Sequence, residues 1–198
     1  MDNERALADL AKKAIKEWDV DVESINLYLQ SENTVFKVEG TNGNTYALRI
    51  HRKGYHDLEE LNSEHAWTSC LSNAGLSVPE AVATRNGQAY ASVSFLNSDE
   101  CRYVGLVKWL EGTILNDLIL GLEEKDVSDL YESFGRVIAK FHEATMTWEV
   151  PKDFKRHSFD TEGFLGSKPF WGRFWESENA NSIERQALTL IRNNLIES

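Results

Sequence analysis

The sequence predicts an α+β fold in which a five-stranded antiparallel sheet with one inserted helix precedes a mainly helical region. Apolar and polar side chains alternate on both sides of Asn42-Gly43, a pattern that is typical of a β-hairpin. Residues 57–74 instead carry apolar side chains at three- and four-residue steps, which indicates a helix. Beyond Gly112 the alternation ends and helical spacing dominates, so the second part of the chain is predicted to be helical.

The remaining elements of the sheet region are predicted in order along the chain. Apolar residues at helical spacing indicate a first helix over residues 3–18, packed on the outside of the sheet. The inserted helix ends where Gly75 supplies a left-handed cap and Val78-Pro79 forbids its continuation. The predicted strands outside the hairpin are residues 25–29, 88–95 and 102–109.

The helical region is predicted to contain two amphipathic helices and, between them, an aromatic-rich segment over residues 159–175. We interpret the aromatic segment as core packing. The apolar stripe of the first helix consists of Leu130, Phe134, Val137, Ile138 and Phe141, and that of the last helix, which runs almost to Ser198, consists of Ile183, Ala187, Leu190 and Ile191.

Composition restricts the class of protein. With 198 residues, 41% of them hydrophobic, the chain can bury a core as one compact domain or two small lobes. A net charge of -11 argues against a nucleic-acid or anionic-membrane partner. We interpret the charge as an aid to solubility, with an acidic face for a cationic substrate as the alternative.

Targeting and metal-binding patterns are not found in the sequence. The amino terminus has no signal-peptide pattern, and no apolar run approaches membrane-spanning length. The two cysteines, Cys70 and Cys101, lack the short spacing of a metal site, and the five histidines are scattered. We therefore expect a cytoplasmic protein with reduced thiols, no membrane partner and no structural metal.

A candidate site is predicted where the second hairpin strand faces the inserted helix. Ala47 and Arg49 point to the same face because side chains alternate along a strand. On the helix, Glu64 falls among apolar residues that should face the protein, and an inward carboxylate needs a partner. Arg49 is the nearest cation at an inward strand position. The sequence therefore predicts an Arg49–Glu64 ion pair in a cleft whose floor, Ala47, is small enough to admit a flat ring.

Four segments, in their order along the chain, resemble the aminoglycoside phosphotransferase family of small-molecule kinases. They are residues 27–50, 71–79, 106–112 and 136–142. The resemblance implies a protein-kinase-like fold with a nucleotide-binding N-lobe at residues 1–105, a hinge at 106–112 and an incomplete helical C-lobe at 113–198. In this fold a cationic side chain on a strand, paired with a Glu on a helix, binds the ATP phosphates.

Arg49 stands where such kinases more usually have lysine. Arginine keeps its charge when buried and can bind phosphate through two donors, so we expect nucleotide binding to be preserved. The resemblance also places phosphate-binding groups in the turn between the first two strands. That turn has no glycine, and Ser31, Asn33 and Thr34 are expected to donate side-chain or backbone hydrogen bonds to a β-phosphate. An ordinary solvated hairpin turn is the alternative.

The hinge is assigned by the same resemblance to residues 106–112. The carbonyl of Lys108 and the N–H of Leu110 would pair with the adenine edge, with Trp109 between them. A buried edge strand that ends in a turn is the alternative interpretation of this segment.

The resemblance also shows what the sequence lacks. The family's catalytic loop, of the type His-Gly-Asp-Leu-His-x-x-Asn, and its later metal-binding Asp have no counterpart here. We therefore assign no catalytic and no metal-binding residue in this chain, although ATP and Mg²⁺ are expected for the family. The implied function is ATP-dependent transfer of the γ-phosphate to a small-molecule hydroxyl, and the chain is expected to be an amino-terminal portion that is inactive alone.

The sequence leaves the function and the acceptor with alternatives, and it predicts how the helical region is covered. The alternative function is a non-catalytic nucleotide-binding or protein-interaction module, similar to a pseudokinase. The acceptor stays open among aminoglycosides, amino alcohols, sugar derivatives and protein hydroxyls. The apolar stripes of the helical region exceed what one short terminal helix can cover, so we expect self-association through this region if the chain ends at Ser198, and covering by further residues if it is a fragment.

Overall fold

The computed structural model describes residues 4–96 and 98–197. Asn3 and Ser198, at the ends of the predicted first and last helices, lie outside the described residues. The chain divides into two compact units, one extending to Phe154 and the other beginning at Lys155. Among the described helices, none has the length and hydropathy needed to cross a membrane.

A five-stranded antiparallel sheet forms the centre of the first unit, as predicted. Its strand order is β1-β2-β3-β5-β4. The Asn42-Gly43 turn joins β2 to β3, and Gly43 has the positive φ of 79° that this turn requires. The strands are β1 (Val22–Gln30), β2 (Thr34–Gly40), β3 (Thr45–Ile50), β4 (Tyr90–Ser94) and β5 (Cys101–Lys108).

The helices of the first unit have well-defined starts and ends. The inserted helix α2 begins after Asp57, which forms a capping box with Glu60: each side chain accepts the other residue's backbone N–H, at 2.9 Å in both cases. Gly75, with φ of 81°, follows its end as predicted. The helices are α1 (Glu4–Ala14, continued by a 3₁₀ turn at Ile15–Glu17), α2 (Leu58–Asn73), α3 (Leu115–Ile119) and α4 (Glu124–Met146).

The main core lies between α1 and one face of the sheet. Trp18 closes it after the 3₁₀ turn, where its buried indole N–H donates to the Val82 carbonyl at 2.7 Å. Since the alternate residues of each hairpin strand fill this core, the intervening residues point to the opposite face of the sheet. The α1 and hairpin residues of the core are Leu7, Leu10, Ala11, Ala14, Phe36, Val38, Tyr46, Leu48 and Ile50.

The second unit contains α5 (Thr161–Leu165), a 3₁₀ turn (Phe174–Glu176) and α6 (Ser182–Glu197). Arg192 links them: its Nε donates to the Leu165 carbonyl at 2.8 Å, and its guanidinium lies 4.4 Å from the Trp175 ring centroid. The predicted aromatic packing is found only in part, since Trp175 is buried whereas the ring of Trp171, stacked on Phe164, stays exposed. The apolar residues Ile183, Leu190 and Ile191 of α6 are also exposed.

Candidate functional site

The candidate site lies on the face of the sheet opposite α1. Directly paired residues of antiparallel strands point to the same face, so the register identifies which side chains meet there. Arg49 pairs with Val35 on β2, whereas Ala47 pairs with Lys37 on β2 and with Val107 on β5. We call these five residues, Val35, Lys37, Ala47, Arg49 and Val107, the site face.

Arg49 and Glu64 form the predicted ion pair. Arg49 Nη1 lies 2.9 Å from Glu64 Oε1 of α2. The two side chains are 39% and 22% exposed, which places the pair at the edge of the solvent. Arginine has five N–H donors, and the contact with Glu64 uses one of them. A guanidinium held in this way can bind an anion that approaches the site face.

Ala47 lies on the same face of the sheet as Arg49, in the middle of the site face. Its neighbours across the sheet are Lys37 and Val107, so the surface around it is flat and partly apolar. Gly105, which pairs with Arg49, has no side chain, and a Cβ there would lie 3.0 Å from the Tyr90 ring. The site face therefore combines the small apolar residue Ala47 with two cations, Arg49 and Lys37, and the Tyr90 ring fills the space beside Gly105.

The three candidate residues of the turn between β1 and β2, Ser31, Asn33 and Thr34, differ in their burial and in their hydrogen bonds. Ser31 is exposed, and its N–H donates to the Asn33 carbonyl at 3.0 Å. Asn33 Oδ1 accepts the backbone N–H of Arg52 at 3.3 Å, which ties the turn to the end of β3. Thr34 is buried and pairs with the core residue Ile50, so its hydroxyl is turned away from the Arg49 face.

The predicted hinge, residues 106–112, begins in the last three residues of β5, and its backbone is held from two sides. The Lys108 N–H donates to the Glu80 carbonyl at 2.8 Å, and the Trp109 N–H donates to the Thr45 carbonyl at 3.0 Å. The Glu80 carboxylate also hydrogen-bonds the Lys108 ammonium and raises the pKa of Lys108 above its ordinary value. The predicted adenine contacts, the Lys108 carbonyl and the Leu110 N–H, flank the anchored Trp109.

Tyr28 and Lys37, which the sequence analysis did not assign to the site, lie beside Trp109. The Trp109 ring packs edge-on against Tyr28, with centroids 4.9 Å apart, and Lys37 Nζ lies 5.4 Å from the Trp109 centroid. Lys37 also pairs with Glu39 at 3.6 Å. Lys37 could have been found from the hairpin register, because the position of the Asn42-Gly43 turn places Lys37 opposite Ala47. Tyr28 had no such signal, since it lies at an irregularity in the β1–β2 pairing.

Two kinase structures are similar to this chain. The structure of the microcompartment-associated aminopropanol kinase is 30% identical, with a TM-score of 0.78, and the match covers 96% of this chain and 56% of that chain. The structure of amicoumacin kinase in complex with AMP-PNP, Ca²⁺ and Ami is 17% identical, with a TM-score of 0.73, and the match covers 99% and 53%. Both confirm the protein-kinase-like fold. The chain spans little more than half the length of either structure.

The family comparison agrees with the structural one. No curated protein sequence matches the chain significantly. The model of the phosphotransferase enzyme family matches residues 28–188, which include the site face, α2, the predicted hinge and most of the helical region. The match therefore covers most of the chain and includes Arg49 and Glu64. The chain belongs to the phosphotransferase enzyme family.

Proposed function

We propose that the chain is the nucleotide-binding part of an ATP-dependent kinase that transfers the γ-phosphate to a small-molecule hydroxyl. Arg49 binds phosphate oxygens while Glu64 orients its guanidinium. The adenine ring lies on Ala47 and pairs with the backbone of Lys108 and Leu110. Ser31 and Asn33 of the turn and the ring of Trp109 border the nucleotide, whereas Thr34 offers only its backbone, because its side chain lies on the core face.

The observation that carries this proposal is the Arg49–Glu64 pair at the end of the apolar site face. A partly exposed ion pair contributes only about 0–1 kcal/mol to stability. This small contribution to stability does not explain why an inward-facing position of the helix carries the carboxylate of Glu64. A cation held beside a flat apolar floor has a clear use in binding a ring that carries phosphates.

The residues of this region fit a nucleotide better than they fit its metal ion. Mg²⁺ is usually bound by one or two carboxylates together with phosphate oxygens. Two carboxylates beside the site face, Glu64 and Glu39, are each ion-paired with a cation, Arg49 and Lys37 respectively. We therefore propose that the magnesium ligands and the catalytic base are supplied by residues outside this chain, and that the chain alone does not transfer phosphate.

Calorimetric titration with ATP and MgCl₂ tests the proposal. We expect weak binding by the wild-type chain and about 10- to 100-fold weaker binding by Arg49→Ala, because a hydrogen bond to a charged group contributes about 1.5–3 kcal/mol. Arg136→Ala is the matched control, since Arg136 is an ion-paired arginine on α4 that is remote in sequence from the site face. Equal ATP affinity in wild type and Arg49→Ala would refute the assignment of Arg49.

The alternative is a non-catalytic nucleotide-binding or protein-interaction module. Transfer of phosphate from ATP to any acceptor by the chain alone would contradict both this alternative and the proposed absence of catalytic groups. Among acceptors, amino alcohols are the first class to assay with a complete kinase, because the neighbour at 30% identity is an aminopropanol kinase.

A further inference from the structure

The helix α2 carries both the partner of Arg49 and a tryptophan that contacts α4. Glu64 and Trp67 are three residues apart, so they are neighbours on the helix surface. The Trp67 indole N–H donates to Thr145 Oγ1 on α4 at 3.1 Å. Thr145 donates its own hydroxyl hydrogen to the Phe141 carbonyl at 2.8 Å, so its oxygen is oriented to accept the indole hydrogen. This bond joins α2 to α4 one turn away from the ion pair.

An apolar cluster lies beside the solvent-exposed bond between Trp67 and Thr145. Leu71 is buried one turn further along α2, and Cys70 Sγ lies 3.9 Å from the Ala144 carbonyl oxygen of α4. The carboxyl-terminal half of α2 is thus anchored on the last two turns of α4. The cluster consists of Leu71, Val78 and Ala144, with Trp67, Leu76 and Phe141 packed against it.

The ion pair is too weak to fix the position of α2 by itself. A partly exposed pair contributes little to stability compared with the burial of a large apolar side chain. Arg49 and Glu64 are both partly exposed, whereas Leu71 is 1% exposed. The contact with α4 therefore outweighs the ion pair in determining where α2 lies.

We propose that Trp67 is a positioning residue for the nucleotide site. Through Thr145 it holds α2 so that Glu64 stays paired with Arg49 before any ligand binds. The inference rests on the proposed function and adds to it that α4, rather than the nucleotide, assembles the ion pair. The affinity for nucleotide then depends on the hydrogen bond between Trp67 and Thr145, two residues that contact neither the nucleotide nor Arg49.

A double-mutant cycle with ATP as the probe tests this role. Trp67→Phe keeps an aromatic ring but removes the donor, and we expect about fivefold weaker ATP binding, the factor for one neutral hydrogen bond. In a Glu64→Gln background the same change should have little effect, because the group that Trp67 positions is gone. Thr145→Val removes the acceptor and should reproduce Trp67→Phe without adding to it. Trp148→Phe, beyond the end of α4, is the matched control.

A second measurement separates this inference from the proposed function. In the chain without nucleotide, Trp67→Phe should speed amide hydrogen exchange in residues 61–70 relative to Trp148→Phe. If the wild type binds no ATP, the proposed function fails, and the exchange result alone decides whether Trp67 positions α2. Unchanged exchange, or an equal loss of affinity in the wild-type and Glu64→Gln backgrounds, would overturn the inference.

Discussion

The helices α1 and α4 are both amphipathic, but they bury their apolar residues to very different extents. In α1, 11 residues long, Leu7, Leu10, Ala11 and Ala14 are all buried against the sheet. In α4, 23 residues long, Ala144 is the buried residue. Three residues of its apolar stripe remain exposed, Phe134 by 46%, Val137 by 44% and Ile138 by 39%, and so does the neighbouring Tyr131, by 54%.

This difference comes from the partner of each helix and not from its sequence pattern. The partner of α1 is one face of the five-stranded sheet, which lies in the same unit. The described contacts of α4 with α2 involve its last turns, around Phe141 and Thr145. Helical periodicity therefore predicts which face of a helix is apolar, but it does not predict what covers that face. The kinases that match this chain are almost twice as long. In a chain of that length we expect the stripe of α4 to be covered.

The largest expected effect contrasts a buried residue of α1 with an exposed residue of α4. Leu10→Ala should destabilise the chain by about 2–5 kcal/mol, since Leu10 is 1% exposed and its loss leaves a cavity. Phe134→Ala should change stability by less than about 1 kcal/mol, because the ring is half exposed. Urea denaturation of both variants at low protein concentration gives the two free energies of unfolding. A large loss for Phe134→Ala would show that the stripe is buried in solution.

The elements of the first unit were largely predictable because their signals are local. The Asn-Gly turn fixes the hairpin, and the Asp57 cap and Gly75 define α2 to within one residue at each end. The predicted first helix was too long, because residues 15–17 tighten into a 3₁₀ turn that delivers Trp18 to the core. The division of the chain at Phe154 was not predictable, since it depends on the distribution of tertiary contacts.

The second expected effect is on association. Because contiguous apolar patches are rarely left in water, we expect the 198-residue chain to self-associate through the stripe of α4. Phe134→Glu should weaken that association at least tenfold, since a charge in a desolvated contact has no partner. Leu120→Glu is the control, because Leu120 is 84% exposed and lies outside α4. Light scattering over a concentration series measures the effect, and a monomeric wild-type chain would contradict the expectation.

The ion pair of the candidate site was predictable because both of its residues break a pattern. Glu64 interrupts an apolar helix face, and Arg49 lies at an inward strand position, so each needs the other. Lys37 and Trp67 were not assigned to the site, since charged residues on strands and aromatic residues on helices usually have ordinary structural roles. Their contacts, with Trp109 and Thr145 respectively, depend on where neighbouring elements lie in three dimensions.

The smallest expected effect concerns a glycine within the exposed stripe. Gly135 lies four residues after Tyr131 and three before Ile138, so it is on the same face of α4. A Cβ at this position would meet no atom within 4 Å. Since glycine in a helix interior costs about 0.5–1 kcal/mol relative to alanine, Gly135→Ala should stabilise the monomer by that amount.

The same substitution also reports on whether the stripe is covered. If a second copy packs closely on α4, the added methyl group of Gly135→Ala would intrude on the contact, and association would weaken while the monomer gains stability. Thermal unfolding measured at low and high protein concentration distinguishes the two contributions. A gain at low concentration that disappears at high concentration would place Gly135 inside the interface. An equal gain at both would mean that residue 135 stays in solvent and that any association uses a surface other than this part of the stripe.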